Sequence, residues 1–102
     1  MDSHDLVEQT SGLASRVNNL AVQTTGADSR QLLEQQDNLT KLAMAAIVKD
    51  LDAGQADFQN AVNLLSNASA QVNTALQNAS QVANAIQFVA QAINAVGKVV
   101  VV

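Results

Sequence analysis

The chain has no cysteine, no proline, no tryptophan and no tyrosine, and its only aromatic residues are Phe58 and Phe88. The lack of cysteine excludes disulfides, thiolate metal sites and thiol redox chemistry. The lack of proline, with glycine confined to positions 12, 26, 54 and 97, leaves little to interrupt a helix. Few large aromatics are available to fill a globular centre. The hydrophobic content of 48% is dominated by Ala and Val instead, which suit close helix packing along long seams. Positive charge is also scarce. Arg16, Arg30, Lys41, Lys49 and Lys98 are scattered through a chain of net charge −4, so no basic patch forms and a nucleic-acid partner is not expected.

The largest absence is local. From Phe58 to Gly97 there is no Asp, Glu, Lys or Arg. A solvated helix normally carries charges on its outer face. A charge-free stretch with helical rhythm suggests that even its polar side meets protein, or lipid, rather than open water.

What is present in that stretch is a seven-residue repeat. Phe58, Leu65, Val72, Ala79, Ile86 and Ile93 form its first column, and Ala61, Ala68, Ala75, Val82, Val89 and Val96 its fourth. The fifth column holds Val62, Ser69, Leu76, Ala83, Ala90 and Gly97. These columns share one side of a helix, and a strict period of seven favours supercoiling against partner helices. The second and sixth columns are polar almost throughout, and the apolar arc widens toward the C-terminus through Ala85, Phe88, Ala92 and Val99. The rhythm predicts one helix over residues 55–99, about 65 Å long at 1.5 Å per residue.

Before it, Asp50-Leu-Asp-Ala-Gly54 reads as a turn, placed at 52–55, with Asp52 or Asp57 able to cap or complement a helix start. Leu32, Leu39, Leu42, Ala43, Ala46, Ile47 and Leu51 describe an amphipathic helix, which Asp28-Ser-Arg-Gln31 would open as a capping box. Leu6, Val7, Leu13, Ala14, Val17, Leu20 and Ala21 continue the helical pattern upstream. Residues 5–51 thus form an N-terminal arm with a weak point near Gly26; Ala21, Leu32 and Ala43 also fit an unbroken eleven-residue spacing. The expected fold is all-α: a single domain over 1–102, built as a long antiparallel hairpin of two arms with coiled-coil-like packing in an oligomer. Three separate helices are the second choice.

No constellation for catalysis emerges. His4 is the only histidine and sits with Asp2 and Asp5 at a terminus, where a preorganised metal site is not expected. Asp50, Asp52 and Asp57 lack the order and terminal Glu of a calcium loop. One terminal histidine cannot complete a Ser–His–Asp set, and no glycine-rich phosphate loop exists. Asn38-Leu-Thr40, Asn67-Ala-Ser69 and Asn78-Ala-Ser80 match the glycosylation sequon, as an Asn- and Ser-rich chain does by chance. The reading is non-enzymatic, with no cofactor and no metal.

The acidic start, with no apolar run behind it, is not a secretory signal, so the expected location is cytoplasmic or reached by a signal-independent route. The length and two-arm plan resemble small secreted hairpins of the WXG type, but the turn reads Asp-Ala-Gly-Gln, without Trp-x-Gly. The low charge and Ala/Asn/Gln/Val composition are similar to those of the small proteins of bacterial R-bodies, with no shared motif.

The functional expectation is self-assembly, with the chain itself or similar helical chains as partner. The core or oligomer seam is Phe58, Val62, Leu65, Val72, Leu76, Val82, Ile86, Val89, Ile93 and Val96. Asn73, Gln77, Asn84, Gln87, Gln91 and Asn94 are the candidate lateral contacts, because side-chain amides can pair with copies of themselves. Two alternatives accompany it. A membrane-active pore component would use residues 82–102 with its amide stripe facing the lumen, and an adaptor would hold a partner helix in its apolar groove.

Overall fold

A computed structural model describes residues 3–48 and 55–100. Helix α1 spans Ser3–Gln23, α2 Gly26–Ile47, α3 Ala56–Gln77 and α4 Val82–Val100. The four pack into one bundle measuring 38 × 19 × 17 Å.

The first reversal follows from local hydrogen bonding. Helix α1 ends with orphan carbonyls at Leu20 and Ala21. The Thr24 hydroxyl donates to both, at 3.0 and 3.2 Å. The Ser29 hydroxyl, already on α2, donates to the Ala21 oxygen at 2.9 Å. Gly26 supplies the sharp change of direction with φ +71°, a left-handed conformation that glycine adopts at least cost. Helix α2 starts with Thr25 as its cap residue and Asp28 in its first turn, where a carboxylate complements the helix dipole. The capping box expected at Asp28 is therefore displaced: the helix is already under way there, and Ser29 binds the preceding helix instead. The weak point expected in a continuous arm is a full turn-back.

The second reversal overturns the 65 Å helix. Helix α3 stops at Asn78, whose backbone is extended (φ −144°, ψ 103°). Its N–H still donates to the oxygens of Thr74 and Ala75 at 3.0 and 3.2 Å. Its side-chain oxygen accepts from the Ser80 N–H at 3.1 Å and the Ser80 hydroxyl at 2.8 Å. A single 3-10 turn, Ala79–Gln81, then leads into α4. The interruption consumes about one helical turn, so the seven-residue columns emerge from it in phase. Heptad rhythm cannot distinguish a helix that runs on from one that folds back on itself. The sequon-like Asn78-Ala-Ser80 is this turn. The turn expected at 52–55 lies outside the described residues except for Gln55, as does the apolar position Leu51.

Each hairpin is antiparallel, and the Asn84 side-chain amide donating to Gln71 Oε1 at 2.8 Å bridges α3 and α4. The hairpins stack with α1 on α3 and α2 on α4. The Gln35 side chain of α2 reaches the Ile86 backbone of α4, and Leu42 and Ile93, each seven residues further along its helix, line one cleft, so α2 and α4 run parallel. It follows that α1 and α3 are parallel too. Among the described residues the backbones of α2 and α3, and those of α1 and α4, do not approach closely; these are the bundle's diagonals.

This arrangement removes the need for an oligomer to cover the apolar arc. Leu6, Leu13, Val17 and Leu20 from α1 and Leu32, Leu39, Ala43 and Ala46 from α2 close over Phe58, Leu65, Val72, Val82, Val89 and Val96. Of the residues that widen the arc along α4, Ala85 and Ala92 are fully buried and Phe88 and Val99 partly buried. The groove that an adaptor would offer to a partner helix is filled by the chain's own first hairpin. No described helix is long and apolar enough to cross a membrane, and the apolar side of α4 lies in the core. The findings therefore replace the elongated coiled-coil hairpin, the self-assembling C-terminal helix, the pore component and the adaptor with a compact bundle formed by one chain.

Candidate functional site

Where α2 and α4 run side by side, their seam is tight at one level and open at another. Gln35 closes it. Its side chain is 6% exposed, and Nε2 donates to the Ile86 carbonyl oxygen at 3.0 Å. Its other polar atom, Oε1, is buried without a hydrogen-bond partner. One turn further along α2, beginning at Asn38, the helices leave an open cleft of about 950 Å³. Asn38, Lys41 and Leu42 form one wall, Ile93, Asn94, Gly97 and Lys98 the other, and Asp57 of α3 stands at the edge.

The cleft exists because of side-chain size and placement. Gly97 contributes nothing to fill it, and a Cβ placed there would meet no atom within 4 Å. Leu42 and Ile93 are only partly buried, so they provide an apolar floor that still meets solvent. Lys41 Nζ lies 3.0 Å from Asp37 Oδ2 on the same helix. Both side chains are exposed, so this i,i+4 pair holds the ammonium weakly, by about 0.3–0.5 kcal/mol. Lys98 and Asp57 form no ion pair among the described residues. Asp37 and Asp57 thus match the two ammonium groups in number, and of the two Lys98 is the one without an ion pair among the described residues.

Eight of the ten seam positions are buried within the single chain, while Leu76 and Ile93 are partly buried, the latter on the cleft floor. The amide positions Asn73, Gln77, Asn84, Gln87, Gln91 and Asn94 are all exposed. The structure brings only Asn94 to the cleft and ties Asn84 to Gln71. His4 Nε2 lies 3.1 Å from Glu8 Oε1 on the exposed face of α1. Among the described residues no three His, Cys, Asp or Glu side chains are grouped as a metal site. Asp57 belongs to the cleft edge; Asp50 and Asp52 lie outside the described residues.

Sequence reasoning passed over the two polar residues buried among the described ones, Thr10 and Gln35. The signal was positional. Thr10 lies between Leu6 and Leu13, and Gln35 between Leu32 and Leu39, both at core spacing. Thr10 satisfies itself by donating to the Leu6 oxygen at 2.7 Å, whereas Gln35 can do so only across the seam, and only in part.

No protein-family model, curated protein or solved structure matches this chain.

Proposed function

We propose that this protein is a non-enzymatic binding module whose α2–α4 cleft takes a small amphipathic molecule with an anionic head. The observation that carries this reading is a partly buried Leu42–Ile93 floor in one open cleft with the Lys98 ammonium, which has no ion pair among the described residues. Apolar burial on the floor supplies most of the affinity, at about 25 cal/mol per Å² removed from water. Lys98 selects the sign of the head group, and the Asn38 and Asn94 amides offer hydrogen bonds to it. The polar groups around the cleft include no nucleophile paired with a base, which favours binding over chemistry.

Titration of the isotope-labelled protein with dodecanoate, followed by amide resonances, tests this. Saturable shifts confined to residues 38–42 and 93–98 are expected. A cationic amphiphile with the same tail should bind more weakly, and Lys98→Glu should weaken dodecanoate about two- to fivefold, as an exposed charge contact allows. Shifts spread over the whole surface, or none that saturate, would refute the ligand cleft.

A further inference from the structure

We infer, resting on the cleft reading above, that the apolar part of the ligand is a compact ring whose face lies on the bare backbone of α4 at Gly97. The chemical class is a ring carboxylate rather than a straight-chain one. Glycine destabilises a helix more than any residue but proline, so its presence within α4 requires a reason. The other described glycines have local ones. Gly26 has a left-handed backbone, with φ +71°. A Cβ at Gly12 would crowd the Arg16 guanidinium at 3.2 Å. Neither reason holds at Gly97, where φ is negative and a Cβ would meet no atom within 4 Å. Gly97 nonetheless lines the cleft, half-buried, one turn beyond Ile93 on the same face of α4. The space that a side chain would occupy is left to the ligand.

The shape of the cleft points the same way, because it is short and broad. Its lining runs from Asn38 to Leu42 on α2 and from Ile93 to Lys98 on α4. At 1.5 Å per residue these are lengths of about 6 and about 7.5 Å along the helices. Asp57 of α3 also lines it, so the diagonal pair α2 and α3 border one space that is wider than a single interhelical seam. An extended chain covers about 3.5 Å for every three bonds, so undecanoate is about 12 Å long and overhangs the cleft. A ring acid with the same number of carbons is shorter and wider. It covers Gly97 while its carboxylate meets Lys98, the next residue of α4. A flexible tail would also lose rotational freedom on binding that a rigid ring does not have.

Binding of 2-naphthoate and undecanoate, which match in carbon number and charge, to the full-length native protein, Gly97→Ala and Gly97→Leu separates this inference from the cleft reading itself. The native protein should bind naphthoate about three- to tenfold more tightly than undecanoate. Gly97→Ala should melt several degrees higher, since alanine is the better helix former and its methyl meets no neighbour. The same variant should bind naphthoate about three- to tenfold more weakly, as one added methyl in an apolar site allows. A glycine with only a structural role would not raise the melting temperature and lower the affinity together. Gly97→Leu should lose the preference for the ring. Lower melting or unchanged naphthoate affinity in Gly97→Ala, or a ring preference that survives Gly97→Leu, overturns the placement on Gly97. Saturable binding of both acids to the native protein without preference for naphthoate overturns the ring class and leaves the cleft standing. Failure of both acids to saturate the native protein overturns both.

Discussion

Gln35 Nε2 lies 3.0 Å from the Ile86 carbonyl oxygen and is the polar tie between the parallel helices α2 and α4. The amide is buried with its oxygen unsatisfied, so the tie stabilises less than a complete hydrogen-bonded pair would. Gln35→Met should leave thermal stability within about 1 kcal/mol of native or raise it, because both polar atoms leave together. Gln35→Ala also opens a hole between Leu32 and Leu39, and should destabilise by about 1–3 kcal/mol. Urea unfolding of the two variants separates packing from hydrogen bonding. A loss in Gln35→Met as large as in Gln35→Ala would mean the tie is worth far more than its geometry indicates.

The fold-back at Asn78 has a direct spectroscopic consequence. The chain lacks cysteine, so spin labels can be placed at Gln59→Cys and Asn94→Cys, both exposed, without further changes. On one continuous helix these positions would be about 52 Å apart. In the bundle they lie near the same end of an antiparallel pair, across a section of 19 × 17 Å. A label distance below about 30 Å is expected. Scattering should agree, with a radius of gyration near the Cα value of 13.0 Å and a mass near 10.6 kDa.

Burial divides the large apolar residues into two groups. Phe58 is 1% exposed, whereas Met44 is 63% exposed. Phe58→Ala should cost about 3–5 kcal/mol through lost burial and the cavity left behind. Met44→Ala should change stability by no more than about 0.5 kcal/mol. Chemical denaturation of the pair checks both values; comparable losses would show that Met44 is covered in solution.

Gly26 is the one described residue with a positive φ. A side chain there meets no neighbour, so any cost is conformational rather than steric. Gly26→Ala should destabilise by about 1–2 kcal/mol, and Gly26→Asn by less, since Asn tolerates the left-handed region better. Equal melting temperatures for the three proteins would place the reversal elsewhere.

Helical content and the apolar stripes are readable in the sequence because burial and period are local. Leu6, Leu13, Val17 and Leu20 mark one stripe and Phe58, Leu65 and Val72 another, and all are buried. The number of helices is not readable in the same way. Asn78 lies in a run of Asn, Gln, Ala and Ser with no Gly or Pro, and its turn is made by hydrogen bonds to Ser80 that composition does not advertise. With the phase of the heptads preserved, the charge-free stretch read as a single helix too apolar for one hairpin. The exposure of Ile47, at 66%, escaped for a related reason: helical spacing places it near the stripe of Ala43 and Ala46, but no described element of the bundle covers that side. The cleft was invisible because it depends on the register between helices 51 residues apart, as Gln35 and Ile86 show.

The diagonal relation of α2 and α3 makes this a molecule in two halves. Among the described residues α2 and α3, which follow one another in the chain, make no close backbone contact. Each half closes its own local turn, and the halves meet only through parallel helix pairs that are distant in sequence. Opening the chain between them should therefore leave two separately encoded hairpins able to recombine, and lengthening the link should weaken the bundle only logarithmically, by about 0.6 kcal/mol for each doubling of the loop. The protein is, in effect, an intramolecular heterodimer: a charge-rich hairpin and one whose charges are Asp57 and Lys98 at its ends, held at high effective concentration by a short tether.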